Sequence, residues 1–408
     1  MKIILSIRNL AETSGVERVV VNLASAFCDL GHEVEIACYY KDEQNRISTF
    51  PIDKRIKISY IYPHSDNHTQ DKGIKKALWK WFRHLIVNIR INAKYTKADV
   101  FIESDFFLLF PYFKRKNMKY IRIIHVEIAK WKRKNNLFNK VVVLSSSEYM
   151  KWKSHSDKLI KIFNFIPMPI DKISHKSHLD ETQKYNPYEN IESLIYAKKI
   201  LLQQNTKAHN EPIDATINHC KIIAVGQMYS KQKGFPRMIN AYSKIAKVLH
   251  NKCRLEITGK GHDEATINAL IESLNMKEYI KLKPFTTNIE SVYLQGDIYA
   301  MTSYYEGLPM ALIEAMSYGL PIVAYNIATI RDCFSDESQT INGITYHKNG
   351  ILVPEDNEEL LCQAMQELVN NETMRLEMGR QSLILARDRF SKEVVMQEWQ
   401  KLLDNLTQ

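Results

Sequence analysis

The stretch that decides the fold spans residues 297–325 and reads DIYAMTSYYEGLPMALIEAMSYGLPIVAY. Its first five residues form a short apolar run typical of a buried strand, and a second such run starts at Pro321. Between them, residues 309–318 predict a helix with proline at its first position and Gly319 just past its end. A strand, a helix and a strand in succession indicate one unit of a parallel sheet.

This alternation of strands and helices extends along most of the chain. Further strands are predicted at residues 2–7, 33–39, 100–102, 120–124, 141–144, 159–163, 221–225, 254–258 and 279–282. The polar segment 171–220 interrupts the pattern, apart from a predicted helix at 191–204, and is interpreted as a linker that carries an insertion. We therefore predict an α/β protein with two doubly wound, Rossmann-like domains, residues 1–170 and 221–390, followed by a helical segment at 391–408.

The composition excludes several classes of protein. Of the 408 residues, 45% are hydrophobic and 25% are charged, which excludes a mainly disordered chain, a collagenous repeat and a disulfide scaffold. The six cysteines are scattered without a Cys-x-x-Cys pair, a pattern that indicates reduced thiols in the cytoplasm and no zinc site. The apolar runs at 1–7 and 106–110 are too short for a signal peptide or a membrane-spanning helix. We expect a soluble protein, or one that lies on a membrane without crossing it.

The positive charge is concentrated in the first half of the chain. Residues 1–170 hold 30 Lys and Arg against 16 Asp and Glu, whereas residues 171–408 hold 26 against 30. A basic first half could bind nucleic acid, an anionic membrane or a phosphorylated substrate, and charge alone does not choose among them.

Two segments combine this charge with aromatic residues. Residues 71–97 hold eight Lys and Arg against Asp71, and residues 114–140 hold ten against Glu127. Their aromatic residues include Trp79, Trp81 and Phe82 in the first segment and Trp131 and Phe138 in the second. Lysines beside tryptophans are typical of a helix on an anionic bilayer surface, and the alternative is a core helix with a solvated basic face. No stacking or groove-reading module accompanies the charge, so we predict an anionic membrane surface as a partner and no nucleic acid.

The two glutamates in the deciding stretch, Glu306 and Glu314, frame a predicted ligand site. The start of the helix offers backbone amides and the positive end of the helix dipole to a diphosphate. This backbone comprises Gly307, Leu308, Pro309 and Met310, with further amides up to Leu312. Glu314 could accept hydrogen bonds from a vicinal diol such as a ribose, and Glu306 could reach hydroxyls on the group attached to the phosphate. The alternative is a surface helix with an acidic start.

The segment 303–321 resembles the retaining, nucleotide-sugar-dependent enzymes of glycosyltransferase family 4, which have the GT-B fold. The matching motif is a glutamate, seven further residues and a second glutamate, and similar features occur at 14–18, 259–261 and 349–353. The resemblance implies two Rossmann-like domains that face each other across a cleft, with the acceptor on the first, the donor on the second and the last helix packed back on the first. It also implies that Glu306 faces the donor sugar and Glu314 the donor ribose.

The same resemblance assigns a phosphate site to the loop after residue 225. Family members usually have arginine at the position of Gln227 and lysine at that of Lys233, and both cations hold the leaving diphosphate. This chain keeps the lysine but has a neutral glutamine, so Lys231 could assist. Gly259 would line the site near the donor base, although by itself it is a weak nucleotide signature whose alternative is a tight turn.

The resemblance also assigns two residues of the first domain, Gly15 and His125, to the predicted site. Gly15 would bring backbone close to the donor phosphate and the acceptor, with Ser14 in place of a second glycine. His125 follows a predicted strand and would position the acceptor or the 6-hydroxyl of the sugar, although a lone histidine is more often structural or exposed.

The sequence therefore predicts a retaining enzyme that transfers a hexose or N-acetylhexosamine, from UDP as the first choice of nucleotide, to a lipid-linked or membrane-anchored glycan. Bacterial surface polysaccharide or lipopolysaccharide would be the product. The predicted location is cytoplasmic, peripheral on the inner face of the cytoplasmic membrane. No cofactor or metal is expected, since no Asp-x-Asp motif stands out. Two alternatives remain open: a sugar-nucleotide epimerase of the GT-B fold, and an inactive membrane-bound scaffold, which Gln227 would explain.

Overall fold

The computed structural model describes residues 1–12, 14–62, 64–65, 74–104, 109–171, 186–209, 219–245, 249 and 251–407. Its contacts divide the chain into two compact units. The first unit comprises Met1–Asn164 and Val395–Gln408, and the second comprises Phe165–Val394.

The first unit is built on a seven-stranded parallel sheet. Its strands are β1 (Lys2–Ile7), β2 (Glu33–Cys38), β3 (Lys57–Tyr60), β4 (Val100–Glu103), β5 (Lys119–Ile124), β6 (Lys140–Val143) and β7 (Leu159–Lys161). Their order is β3-β2-β1-β4-β5-β6-β7, and every neighbouring pair is parallel. The chain reverses its direction of travel across the sheet at β1, which is the mark of a doubly wound sheet. Strand β3 was not predicted from the sequence, because Lys57 and Ser59 alternate with its apolar residues and leave no clear apolar run.

Before the last helix of the chain, the described α-helices of the first unit are α1 (Gly15–Asp29), α2 (Ile74–Lys94) and α3 (Ser146–Trp152). Ser14 caps α1: its hydroxyl accepts from the Val16 amide, and the Glu17 carboxylate accepts from the Ser14 amide at 3.0 Å. These bonds use amides that a helix start would otherwise leave open. Gly15 is therefore the first residue of α1.

The second unit repeats this plan with an added hairpin. Its strands are β8 (Cys220–Val225), β9 (Cys253–Thr258), β10 (Ile280–Lys283), β11 (Ile298–Met301), β12 (Ile322–Tyr325), β13 (Ser338–Ile341), β14 (Ile344–His347) and β15 (Gly350–Val353). The order is β10-β9-β8-β11-β12-β15-β14-β13. The first six are parallel, and β13 and β14 add an antiparallel hairpin at the edge. The hairpin was not predicted, although Asn342 and Gly343 with positive φ form the kind of turn that joins two such strands.

These strands are accompanied by the following helices among the described residues. They are α4 (Ile191–His209), α5 (Ser230–Lys233), α6 (Phe235–Ser243), α7 (Glu264–Ser273), α8 (Ile289–Gln295), α9 (Met310–Ser317), α10 (Glu358–Asn370) and α11 (Glu372–Phe390). Helix α6 begins directly after Gly234 and ends at Ser243.

Helix α4 packs within the second unit. The side-chain amides of Asn205 in α4 and Asn288 before α8 donate to each other at 2.9 and 3.1 Å, and both residues are buried. A reciprocal pair of this kind satisfies two polar groups that would be costly to bury alone. Residues 191–209, which the sequence analysis placed in a linker, are therefore part of the second unit.

The last helix, α12 (Lys392–Thr407), begins in the second unit and continues in the first. Trp399 is buried and meets Phe27 of α1 edge to face, with ring centroids 5.6 Å apart. Aromatic pairs in this geometry add to the stabilisation that comes from burial alone. All six cysteines are free thiols. Among the described helices, none has the length and apolar character needed to span a bilayer.

Candidate functional site

A recess lies at the carboxyl ends of β8 and β11 in the second unit. Parallel α/β sheets bind ligands at this edge, where loops leave the strands. The recess is lined by Val225, Lys233, Phe235, Tyr299, Ala300, Met301, Thr302, Ser303, Glu306, Pro309 and Ala311. Lys233 and Glu306, both predicted from the sequence, thus come together in one site. Within the described part of the chain, no group of three His, Cys, Asp or Glu residues is arranged to hold a metal ion.

An ion pair forms the centre of this recess. The Lys233 Nζ atom lies 2.6 Å from Oε1 of Glu306, whose residue is only 6% exposed. A carboxylate this buried needs a charged or hydrogen-bonding partner, and Lys233 supplies both. The stem of Lys233 lies over Gly226, where an added Cβ would approach Lys233 Cε to 3.2 Å. Gly226 therefore gives the lysine room to reach the glutamate.

The loops that carry the pair are tied to each other through their backbones. Gly234 has a φ of +62°, and an added Cβ would lie 2.2 Å from the carbonyl oxygen of Thr302. The Thr302 hydroxyl donates to the Gly234 carbonyl at 3.0 Å, and the Tyr304 amide donates to the Gln232 carbonyl at 2.8 Å. The ion pair thus connects two segments that are already held in register.

Helix α9 starts beside the ion pair. Pro309 precedes its first residue, Met310, and Leu308 is buried just before it. The Leu312 amide donates to the Pro309 carbonyl at 3.1 Å, so this amide serves the helix and is not open to a ligand. This corrects the prediction that ligand-binding amides reach Leu312. The predicted anion site is narrowed to the turn from Gly307 to the start of α9.

The second glutamate of the motif lies inside the unit. Glu314 is 5% exposed, and its Oε2 accepts a hydrogen bond from the Tyr293 hydroxyl at 2.9 Å. Tyr299 is close to both motif carboxylates: burial raises the pKa of its phenol, and the charges of Glu306 and Glu314 raise it further. The alternative of a surface helix with an amphipathic face is therefore wrong for Glu314.

The predicted loop at Gly259 packs on the loop at Gln227. An added Cβ at Gly259 would lie 1.9 Å from the Gly226 carbonyl oxygen, and the Met228 amide donates to the Lys260 carbonyl at 2.9 Å. Glycine at 259 is thus required by close backbone packing within the unit. Gln227 itself is exposed.

Gly15 and His125 both belong to the first unit, where β1 and β5 end before them. Burial lowers the pKa of His125 to about 4, so its imidazole is neutral at pH 7. Its Nε2 atom is buried and has no hydrogen-bond partner among the described residues. A neutral imidazole of low basicity can exchange a hydrogen bond with a hydroxyl, but it is a poor proton acceptor.

The aromatic residues of the basic segments are distributed differently from the prediction. Trp131 and Phe138 are buried in the core of the first unit, so they are not surface anchors. The side chains of Trp79 and Trp81 lie outside the described part of the structure. Phe82 is exposed, and so is Phe113, which the sequence analysis did not single out.

Sequence reasoning also missed Arg237, Tyr293 and Tyr299 of the second unit. Arg237 is in the first turn of α6, where the helix dipole disfavours a cation. That mismatch was the available signal that its charge is used elsewhere. The two tyrosines gave no such signal, because an aromatic residue in an apolar run is indistinguishable from ordinary core.

Comparisons with known proteins show which enzymes this chain resembles. Residues 215–383 match the family model of glycosyl transferases group 1. An uncharacterized glycosyltransferase of Haemophilus influenzae is 25% identical over 400 residues, which cover 97% of this chain and 98% of the relative. The amylovoran biosynthesis glycosyltransferase AmsD of Erwinia amylovora is 27% identical over 184 residues, 45% of this chain and 48% of that protein.

A solved structure shows the fold of the whole chain. Staphylococcus aureus TarM, in a mutant form bound to fondaparinux, α-GlcNAc-glycerol and UDP, superimposes with a TM-score of 0.71 at 16% identity. The match covers 98% of this chain and 99% of TarM. The two Rossmann-like sheets are those of the GT-B fold. The family match, the relatives and the fold together support a glycosyltransferase.

The close packing at Gly234 yields a stability prediction. Gly234→Ala should lower the free energy of unfolding by about 3 kcal/mol or more, because positive φ costs about 1–2 kcal/mol and the added methyl group must also displace Thr302. Gly343→Ala is the matched control, since Gly343 has a φ of +84° but meets only the flexible Leu360 Cδ1, at 3.1 Å. Urea denaturation of both variants measures the difference. Equal losses would show that the two loops are not held by this contact.

Proposed function

We propose that this chain is a retaining glycosyltransferase that moves a hexose or N-acetylhexosamine from a UDP-sugar to a hydroxyl of a lipid-linked or membrane-anchored glycan. The observation that carries the proposal is the buried Lys233–Glu306 ion pair beside the start of α9. A cation and a carboxylate at the edge of a parallel sheet suit the two ends of a sugar diphosphate. The UDP bound to TarM supports the choice of nucleotide.

The diphosphate is placed between Lys233 and the turn that starts α9. Lysine brings full charge to the leaving group, and the helix start adds backbone amides and a partial positive charge. Gln227 is neutral and can contribute only a hydrogen bond, so Lys233 carries most of the electrostatic stabilisation. Gly226 leaves room for the stem of Lys233, and Gly259 packs against the Gly226 carbonyl beside it.

The two carboxylates, Glu306 and Glu314, bind different parts of the donor. Glu306 faces the sugar, where it accepts hydrogen bonds from hydroxyls once the diphosphate draws Lys233 towards itself. Glu314 is held through one oxygen by Tyr293 and accepts from the ribose hydroxyls. The departing phosphate oxygen takes the acceptor proton on the same face of the sugar, which retains the anomeric configuration. His125, neutral at pH 7, positions a hydroxyl and does not act as the base.

The proposed acceptor is a growing bacterial surface glycan held at the cytoplasmic membrane. AmsD, by its name, serves the biosynthesis of a polysaccharide, amylovoran. The basic first unit would then lie on the inner face of that membrane, which places the protein in the cytoplasm as a peripheral membrane protein. An anionic bilayer attracts Lys and Arg by up to about 1 kcal/mol each.

A specific surface of the first unit fits this role. Phe82 and Ile89 of α2 are 48% and 53% exposed, and Phe113 in the loop before β5 is 61% exposed. The loop is fastened to α2: the Phe113 amide donates to Asn88 Oδ1 at 2.8 Å, and Asn92 Nδ2 donates to the Phe113 carbonyl at 2.7 Å. Residues 114–116, all exposed, follow with the sequence Lys-Arg-Lys. An apolar side chain held out beside three cations suits an anionic lipid surface.

The donor assignment predicts separate effects for the two motif glutamates. Glu306→Gln should lower kcat by about 100-fold without weakening UDP binding, because the lost charge acts on the sugar and no longer competes with the diphosphate for Lys233. Glu314→Ala should weaken UDP binding by about 1–3 kcal/mol. Steady-state kinetics and calorimetry with UDP measure the two quantities. Glu337→Gln is the control, since Glu337 also pairs with a lysine, Lys348 at 2.7 Å, but on the exposed surface.

Small and equal effects of Glu306→Gln and Glu314→Ala would contradict the assignment. The same reagents separate the alternative functions. Conversion of a UDP-sugar without an acceptor would indicate an epimerase, and wild-type protein that binds no UDP would indicate a scaffold. NMR of the transferred sugar shows whether its anomeric configuration is retained.

The membrane assignment predicts that Phe113→Ser lowers binding to anionic vesicles by about tenfold or more, because inserting a phenylalanine contributes about 1.5–3 kcal/mol. Co-sedimentation of the full chain with vesicles, with and without anionic lipid, measures the bound fraction. Met150→Ser is the matched control, since Met150 is 59% exposed on the same unit. Unchanged binding by Phe113→Ser, or binding that ignores lipid charge, would contradict the assignment.

A further inference from the structure

Arg237 is a buried arginine that touches the loop between β11 and α9. Its Nε donates to the Thr302 carbonyl at 2.7 Å, and its Nη2 donates to the Ser303 carbonyl at 2.7 Å. Its Nη1 donates to Asp356 Oδ1 at 2.6 Å. Bonds from a charged donor are about twice as strong as neutral ones, and three of them leave from one planar group.

Two aromatic rings complete the surroundings of this guanidinium. The Tyr304 ring centroid lies 3.7 Å from the Arg237 Cζ atom, and the Tyr325 ring centroid lies 4.4 Å from it. Arg237 therefore connects the carboxyl ends of four parallel strands. Its own helix follows β8, and its partners lie in the loop after β11, at the last residue of β12 and in the segment after β15.

These contacts give Arg237 a different task from Lys233. Its Nε, Nη1 and Nη2 atoms each donate to a protein acceptor, and two rings lie over the group, so its charge serves the protein and not a ligand. The carbonyls that it holds belong to Thr302 and Ser303, which lie four and three residues before Glu306. Lys233 lies four residues before Arg237, at the end of the preceding helix, and Gly234 separates the two helices.

We propose that Arg237 is a positioning residue for sugar transfer: it fixes the loop 302–306 and so sets the position of Glu306 at the donor sugar. This inference rests on the proposed function of that site. The uridine end of the donor is outside its reach, because Glu314 is held by Tyr293 and not by Arg237. Loss of the three hydrogen bonds from the Arg237 guanidinium therefore lowers the rate of the chemical step and leaves the affinity for the nucleotide unchanged.

Arg237→Lys tests this, because lysine keeps the charge but cannot donate three bonds from a planar fork. Arg389→Lys is the matched control. Arg389 has the same kind of contacts in the same unit: Nη1 donates to the Asp332 and Phe334 carbonyls at 3.0 and 3.1 Å, and Nη2 donates to Asp336 at 3.0 Å. None of these residues lines the recess described above.

The measurements are kcat and KM with UDP-glucose or UDP-N-acetylglucosamine, the Kd of UDP by calorimetry, the melting temperature, and amide hydrogen exchange of residues 302–306. Arg237→Lys should lower kcat at least tenfold, change the Kd of UDP less than threefold and speed exchange at 302–306. Both variants should have a lower melting temperature than the wild-type protein, but Arg389→Lys should keep the wild-type kcat, Kd of UDP and exchange at 302–306.

The inference is overturned if kcat is unchanged in Arg237→Lys, or if kcat falls in both variants in proportion to their melting temperatures. It is also overturned if exchange at 302–306 is unchanged. Hydrogen exchange and UDP affinity need no turnover. If the wild-type protein transfers no sugar, the proposed function fails, while exchange at 302–306 still decides whether Arg237 holds the loop.

Discussion

The second unit depends on one constraint: the loops after β8 and β11 must meet at backbone distance. Gly234 and Thr302 approach so closely that no side chain fits between them, and the Tyr304 amide bonds to the Gln232 carbonyl. This contact brings a lysine and a glutamate within 2.6 Å in a place with little solvent. Water screens opposite charges less there than at the surface, so the pair is a defined feature of the site and not a loose surface contact.

The ion pair also bears on how a ligand would bind. Without a ligand, each charge neutralises the other, which lowers the cost of keeping Glu306 buried. In the proposed function, a diphosphate would compete for the lysine, and a sugar hydroxyl would compete for the carboxylate. Binding of a sugar diphosphate would then replace one charged contact with two, next to the dipole of α9. The glycines at 226, 234 and 259 are important because a side chain at any of these positions would crowd or collide with a neighbouring segment of this site.

The sequence was most informative where a pattern has one structural meaning. The run 297–325 predicted β11, α9 and β12 within one or two residues, because a buried strand, an N-terminal proline and a terminal glycine each have a clear signature. It was least informative where a contact joins distant segments. The fork from Arg237 to Thr302 and Ser303 spans 65 and 66 residues, and no local pattern announces it. Trp131 shows the same limit, since a tryptophan among lysines was equally consistent with membrane and core, and it is core.

We infer that the nucleotide diphosphate binds at the Lys233–Glu306 edge of the second unit. Hydrogen exchange of the full chain with and without UDP tests this binding site, because it locates a ligand on the backbone without requiring turnover. We expect slower exchange in residues 226–234 and 307–311 at saturating UDP. Saturation without protection in these two segments would contradict it.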